Sequence, residues 1–121
     1  MKLLRVGQKG QEKPAALDKD GKIKDISSHI SDLNPDHLNF ETISKLQNAD
    51  LSSLPEISSS ERIGSCITKP GKFIAIGLNF SDHAAETGAE VPSEPITFMK
   101  ATSCINGPND DIEIVSGSKK L

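Results

Sequence analysis

His83 and Glu86 stand three positions apart in the run Ser81-Asp82-His83-Ala84-Ala85-Glu86. On a helical turn that spacing makes the two side chains neighbours, about 5–6 Å between Cβ atoms. A carboxylate beside an imidazole fixes its tautomer and favours its protonated form, bringing a group of unperturbed pKa ~6.5 toward working pH. Such a pair can serve as general acid and base, a contribution of roughly 10²–10⁴-fold in rate. The same pattern decorates many solvated helix faces as an ordinary ion pair, so the spacing alone does not define an active site. Lys100 closes the apolar run Ile96-Thr97-Phe98-Met99 and reads either as a solvated strand end or as a cation for a substrate carboxylate.

The remaining chemistry-bearing residues carry weaker signals. His29 and His37 have no carboxylate or thiolate at metal-ligand spacing and read as surface residues. Asp110, Asp111 and Glu113 sit in no recognisable cation loop and read as a solvated acidic turn. Cys66 and Cys104 form no CxxC pair and are expected to be reduced, half-buried thiols, with a disulfide or a reactive thiol as the alternative.

These residues need elements to hold them. Phe73-Ile74-Ala75-Ile76 predicts a strand ending at Gly77, and Ser81 is placed to cap a short helix over 82–87 that stops at Gly88. Ile96–Met99 predicts a further strand, and the alternation in Ile112-Glu113-Ile114-Val115 predicts another. Arg62 to Thr68 can also be read as a strand. Nearer the N-terminus, Leu3–Val6 predicts a strand and residues 13–26 a hairpin turning at Asp20-Gly21, where glycine accepts positive φ. Asn34-Pro35 reads as an N-cap and first helical residue, with Phe40, Ile43 and Leu46 on the apolar face of a helix over about 35–48. The serine-rich stretch 51–61 reads as a linker. The expected fold class is therefore β-rich α+β. It divides into a small N-terminal α+β domain with its linker, residues 1–61, and a second, incomplete domain over 62–121.

Composition limits the classes of function. Seventeen Asp and Glu outnumber fourteen Lys and Arg, for a net charge of -3, and the basic residues are scattered. Polyanion binding needs a basic stripe, so no nucleic-acid partner is expected. No segment approaches the ~20 apolar residues of a membrane span, and the N-terminal apolar run is too short for a signal peptide. A cytoplasmic protein without a membrane partner is the expectation. With 35% hydrophobic residues, four Phe and neither Trp nor Tyr, the core must be aliphatic and thin.

The order of these weak signals carries more than any one of them. Lys72-Phe73-Ile74-Ala75-Ile76-Gly77-Leu78-Asn79-Phe80-Ser81-Asp82-His83-Ala84-Ala85-Glu86 resembles the opening of the catalytic domain of the fumarylacetoacetate hydrolase family, where a strand runs into G-x-N-Y-x-x-H-x-x-E. Phe80 stands where tyrosine is more usual. Ser93-Glu94-Pro95-Ile96-Thr97-Phe98-Met99-Lys100 resembles the family's E-P-x-x-F-x-K segment, and Gly107–Ile112 its following loop and strand. The resemblance covers about residues 70–118. The first seventy residues look, more loosely, like the small N-terminal domain of bacterial members such as ureidoglycolate lyases and 2-hydroxyhepta-2,4-diene-1,7-dioate isomerases.

The resemblance implies a truncated start of the family's mixed β-fold and a parent enzyme that is a metal-dependent hydrolase or lyase. Its substrate would be a small 2-oxo or 2-hydroxy carboxylic acid, cleaved at a C–C or C–N bond; ureidoglycolate, giving glyoxylate and urea, is one possibility, and oxo-acid isomerase or decarboxylase chemistry is another. It implies His83 and Glu86 as the catalytic dyad, Lys100 as a substrate ligand and Asn79 in a supporting part. It implies Mg²⁺, or Mn²⁺ or Ca²⁺, bound in the parent by a Glu-x-Glu motif and a later Asp. That motif would begin after Leu121, so no metal site and no activity are expected of this chain alone. A homodimeric parent is implied as well. If the protein ends at Leu121, the alternative is a non-catalytic β-rich module that binds a partner through its open strands.

Overall fold

A computed structural model describes residues 1–119. The chain forms two compact units, one of Met1–Lys69 with Ile105–Leu121 and one of Pro70–Cys104. Residues 62–69 and 105–119 thus group with the N-terminal part.

The first unit is built on a four-stranded antiparallel sheet in sequential order: β1 (Lys2–Val6), β2 (Lys13–Leu17), β3 (Ile23–Asp25) and β4 (Glu56–Ile57). The β2–β3 hairpin forms as expected. Gly21 takes φ 79°, and the Asp18 side chain accepts from the amides of Asp20 and Lys22, both at 2.9 Å. Successive side chains point to opposite faces of the sheet, and both faces are covered. Ala16 lies on one with Leu3, over a cluster of Ile26, Ile30, Leu33 and Leu46. Ala15 lies on the other with Leu4, Val6, Ile23 and Ile63. Two alanines at the centre of β2 let both layers approach the backbone closely, which suits an aliphatic core with few large side chains.

The helix of this unit, α1, spans Phe40–Gln47 and is capped by Asn39, whose side chain accepts from the Thr42 amide at 2.9 Å. Asn34 caps only one turn, accepting from Asp36 and His37. The start expected at Pro35 is therefore five residues early. The expected apolar face also changes: Leu46 is 2% exposed, Ile43 is half-buried and Phe40 is 97% exposed. Two steps of three residues turn about 600°, which leaves Phe40 and Leu46 roughly 120° apart around the axis.

Three further expectations are corrected. Residues 51–61 are not a plain linker: Leu51–Ser53 form a 3₁₀ turn, Leu51 and Leu54 pack against the core, and β4 pairs with β3. Arg62–Thr68 is not a strand; a Val6–Ile63 bridge and the packing of Ile63 tie its start to the sheet. Ile112–Val115 is likewise not a strand. Ile112, Ile114 and Val115 are exposed, because alternation makes a strand only where a neighbouring strand supplies ladder bonds.

The second unit holds β5 (Ile74–Gly77), α2 (Ser81–Thr87) and β6 (Ile96–Met99). The two strands pair antiparallel, Ile74 opposite Met99 and Gly77 opposite Ile96, and Lys100 extends the ladder by donating its amide to Phe73 at 2.8 Å. A two-stranded ribbon buries little by itself, and Ile74, Ile76, Ile96, Phe98 and Met99 all remain exposed. No described helix is long and apolar enough to cross a membrane.

Candidate functional site

The second unit carries all four residues singled out for chemistry. Strand β5 ends at Gly77, and the next residue, Leu78, adopts φ 45°. For a side chain with a Cβ this left-handed backbone is strained, at about 1–3 kcal/mol. It turns the chain abruptly from the strand into Asn79 and the start of α2. Ser81 is the first helical residue and not the cap. That position falls to Phe80, which offers no side-chain hydrogen bond. The other end of α2 forms as expected. Gly88 takes φ 66°, its amide donates to Ala85, and the Ala89 amide reaches back to Ala84 at 2.9 Å. These are the paired bonds of a Schellman stop, which needs a residue free of the Cβ penalty.

His83 and Glu86 both lie on α2, both exposed, while Ala84 between them is 1% exposed. Helix spacing sets them side by side, but among the described residues no hydrogen bond or ion pair joins them. The His83 amide donates to Asp82 Oδ1 at 2.8 Å, and Thr87 Oγ1 donates to the His83 carbonyl at 3.0 Å, so the backbone at this position is held from both sides. Lys100 is exposed with its ammonium 5.9 Å from the Phe98 ring centroid, inside cation–π range. Asn79 lines a shallow cleft of about 210 Å³ between the Ile76–Asn79 turn and Val91–Pro95. That is below the ~300–1,000 Å³ of ordinary ligand pockets. His83, Glu86 and Lys100 do not line it.

The larger clefts belong to the first unit and hold none of the four candidates. One of about 450 Å³ lies beside Leu46, Asp50 and Leu51. Another, of about 390 Å³, lies over an ionic chain. Arg5, 6% exposed, donates from Nε to Asp32 Oδ1 at 2.7 Å and from Nη2 to Asp32 Oδ2 at 3.1 Å. It also reaches Glu12 at 3.4 Å. Arg62 donates to the other Glu12 oxygen at 2.9 Å, to the Gly7 carbonyl at 3.0 Å, and from Nε to Asp110 at 2.7 Å. Burial raises the Glu12 carboxyl, but the Arg62 hydrogen bond, backbone amides and the charge of Arg5 together hold it below the usual carboxylate range. Asp110 is held low chiefly by the Arg62 hydrogen bond, against a smaller opposing effect of burial.

The chemical reading of single residues misses this chain because its members are widely separated, Arg5 from Asp32 by 27 positions and Arg62 from Asp110 by 48. Asp110 is thus not the solvated acid expected of its turn. Cys66 and Cys104 are free thiols, and both are exposed where half-burial was expected. His29 is exposed and His37 half-buried, its Nδ1 3.0 Å from Asn34 Oδ1. Among the described residues, no three His, Cys, Asp or Glu side chains gather as a metal site would require.

The class defined by this geometry is a β-rich α+β fold in two compact units, the fold also found in a solved structure, "a putative HpcE protein from Mycobacterium smegmatis". The similarity has a TM-score of 0.66 at 24% identity and covers 94% of this chain and 41% of that one. By sequence the chain is similar to a "Putative hydrolase" of Burkholderia ambifaria strain MC40-6 and to another of Burkholderia lata, each 53% identical over 120 residues. The match takes in 99% of this chain, which spans 43% of the length of those relatives. No protein-family model matches.

Proposed function

We propose that this chain is the N-terminal portion of a fumarylacetoacetate-hydrolase-like enzyme, a hydrolase or lyase acting on a small 2-oxo or 2-hydroxy carboxylic acid. The observation that carries the reading is the 53% identity to proteins named as hydrolases, sustained over 120 residues that include Asn79, His83, Glu86 and Lys100. The HpcE-like fold supports it.

In this reading His83 and Glu86 exchange a proton with the substrate, Lys100 meets its carboxylate and Asn79 orients it. An exposed imidazole and carboxylate on one helix can reach a ligand, since among the described residues neither side chain is bonded to another. A Mg²⁺, Mn²⁺ or Ca²⁺ ion would polarise an oxo acid through oxygen ligands. The described residues do not assemble a set that fits such an ion. In this reading the metal ligands come from a part of the parent protein outside the matched stretch. Ureidoglycolate is the first substrate to try, and a homodimeric, cytoplasmic parent goes with the proposal.

The test is turnover of ureidoglycolate and oxaloacetate by the natively expressed protein, with and without Mg²⁺ or Mn²⁺. The expected result is metal-dependent cleavage of one of them, reduced at least 100-fold in kcat by His83→Ala and by Glu86→Gln. Full activity in His83→Ala would remove the dyad from the proposal. Exposed Ile74, Ile76, Phe98 and Met99 favour a second reading, a module that binds a partner through this ribbon. An intact mass above 12.9 kDa per chain for the gene product would exclude it.

A further inference from the structure

Among the described residues, two ion pairs tie the chain after residue 104 to the first part of the sequence: an exposed one between Lys9 and Glu113 at 3.1 Å, and a less exposed one between Arg62 and Asp110. Gly107 is buried, and a Cβ there would lie 2.8 Å from the Ile63 carbonyl and 2.6 Å from Asp110 Oδ2, so only glycine fits without a shift. Its amide donates to Asp110 Oδ2 at 3.1 Å, and the Asp110 amide donates back to the Gly107 carbonyl at 3.2 Å. The Asp110 carboxylate thus faces two ways: it closes its own turn and it takes both Nε and Nη2 of Arg62. Arg62 is in turn fixed by Glu12, whose side chain is 7% exposed, and by the Gly7 carbonyl. Two planar groups meeting through parallel bonds are geometrically specific in a way a lysine would not reproduce. Beyond this attachment Ile112, Ile114 and Val115 are exposed, and Ile105 before it is half-buried.

We propose that Arg62 and Asp110 form a clasp between positions 48 apart in the sequence, and that its release frees residues 105–110 as a unit while the four-stranded sheet stays folded. The sheet does not need the clasp. The pairs between Arg5, Asp32, Glu12 and Arg62 lie wholly within residues 1–69, and the core clusters do too. Opening frees only the short segment 105–110, so a few charge-assisted bonds suffice to hold it. Segments with few buried apolar contacts open at lower free energy than a core sheet.

The experiment is native-state hydrogen exchange on the full chain, comparing wild type with Asp110→Asn and Arg62→Gln. Asp110→Asn keeps the shape and leaves Arg62 bonded to Glu12, so it carries the test even if Arg62→Gln does not fold. The expected result is exchange at Gly107 and Asp110 at least 10-fold faster in both variants, with the amides of the β1–β2 and β2–β3 ladders unchanged. Equal acceleration throughout the sheet would overturn the proposal, because the pair would then belong to the cooperative core. No acceleration at Gly107 would overturn it as well.

Discussion

Arg5 and Asp32 face each other as fork to fork, guanidinium Nε and Nη2 on the two carboxylate oxygens at 2.7 and 3.1 Å. Arg5 comes from strand β1 on the face that also carries Leu3, so the ion pair continues the line of the core where the apolar side chains end. Removing one partner of a buried pair leaves the other desolvated and uncompensated, at about 3–5 kcal/mol. Asp32 is partly exposed and Glu12 still reaches Arg5, so a smaller loss is expected here. Asp32→Ala should reduce the unfolding free energy by about 1–3 kcal/mol, read as a lower urea midpoint at constant slope. Arg5→Lys should also destabilise, because an ammonium cannot make the two parallel bonds. An unchanged midpoint for Arg5→Lys would show that the fork geometry contributes nothing.

Acid should unfold the first unit through the same residues. Glu12 has a folded pKa below the ordinary 4.5 of a glutamate. A depressed carboxylate contributes stability that is complete above its unfolded pKa and is lost as pH falls through its folded value. The thermal midpoint should therefore be flat above about pH 5 and fall below about pH 4.5. Glu12→Gln should lie lower at pH 7 and show a shallower acid limb. An acid limb as steep as wild type would assign the loss to other carboxylates, of which Asp110 and Asp25 are also held low.

Helix α1 offers a comparison of two residues that the sequence pattern treats alike. Leu46 is buried and Phe40 is almost fully exposed. Leu46→Ala should cost about 2–5 kcal/mol through lost transfer energy and a cavity, while Phe40→Ser should stay within about 0.5 kcal/mol. Chemical denaturation of the two variants decides it; a large loss for Phe40→Ser would place that ring in the core after all.

Gly88 fixes where α2 stops. Nothing lies within 4 Å of a Cβ built there, so Gly88→Ala suffers no clash and only the left-handed backbone penalty, about 1–2 kcal/mol. Amide exchange at Gly88 and Ala89 should quicken in Gly88→Ala and recover in Gly88→Asn, a residue that tolerates this backbone. Equal exchange in all three would mean that the stop does not depend on the left-handed residue.

Local signals in the sequence were reliable wherever the structure is local. Strand β6 covers the residues its apolar run predicts, the hairpin turns at Asp20-Gly21, and α2 ends at Gly88. Strand β4 escaped notice because two residues in a serine-rich stretch carry no period, and their pairing to β3 is a tertiary event. Ile112–Val115 has the alternation of a strand and lacks the neighbour. For the site, the sequence brought Asn79, His83, Glu86 and Lys100 to attention, and all four fall within Pro70–Cys104. Helical spacing could not reveal that His83 and Glu86 would leave each other unbonded, since side-chain direction depends on what lies opposite. The ionic chain was beyond reach for a different reason: charged residues separated by 27 and 48 positions look the same in a sequence whether paired or solvated.

The ordering of the ionic chain along the polypeptide sets a timetable for synthesis. All four strands of the sheet are complete once residue 57 has emerged, and Arg62 follows five residues later. Asp110 emerges another 48 residues on, roughly 2–10 s at the usual pace of translation. Throughout that interval the Arg62 guanidinium has Glu12 and the Gly7 carbonyl but not its last partner. A nascent chain at this stage presents a finished sheet with a docking position still vacant for its own later segment.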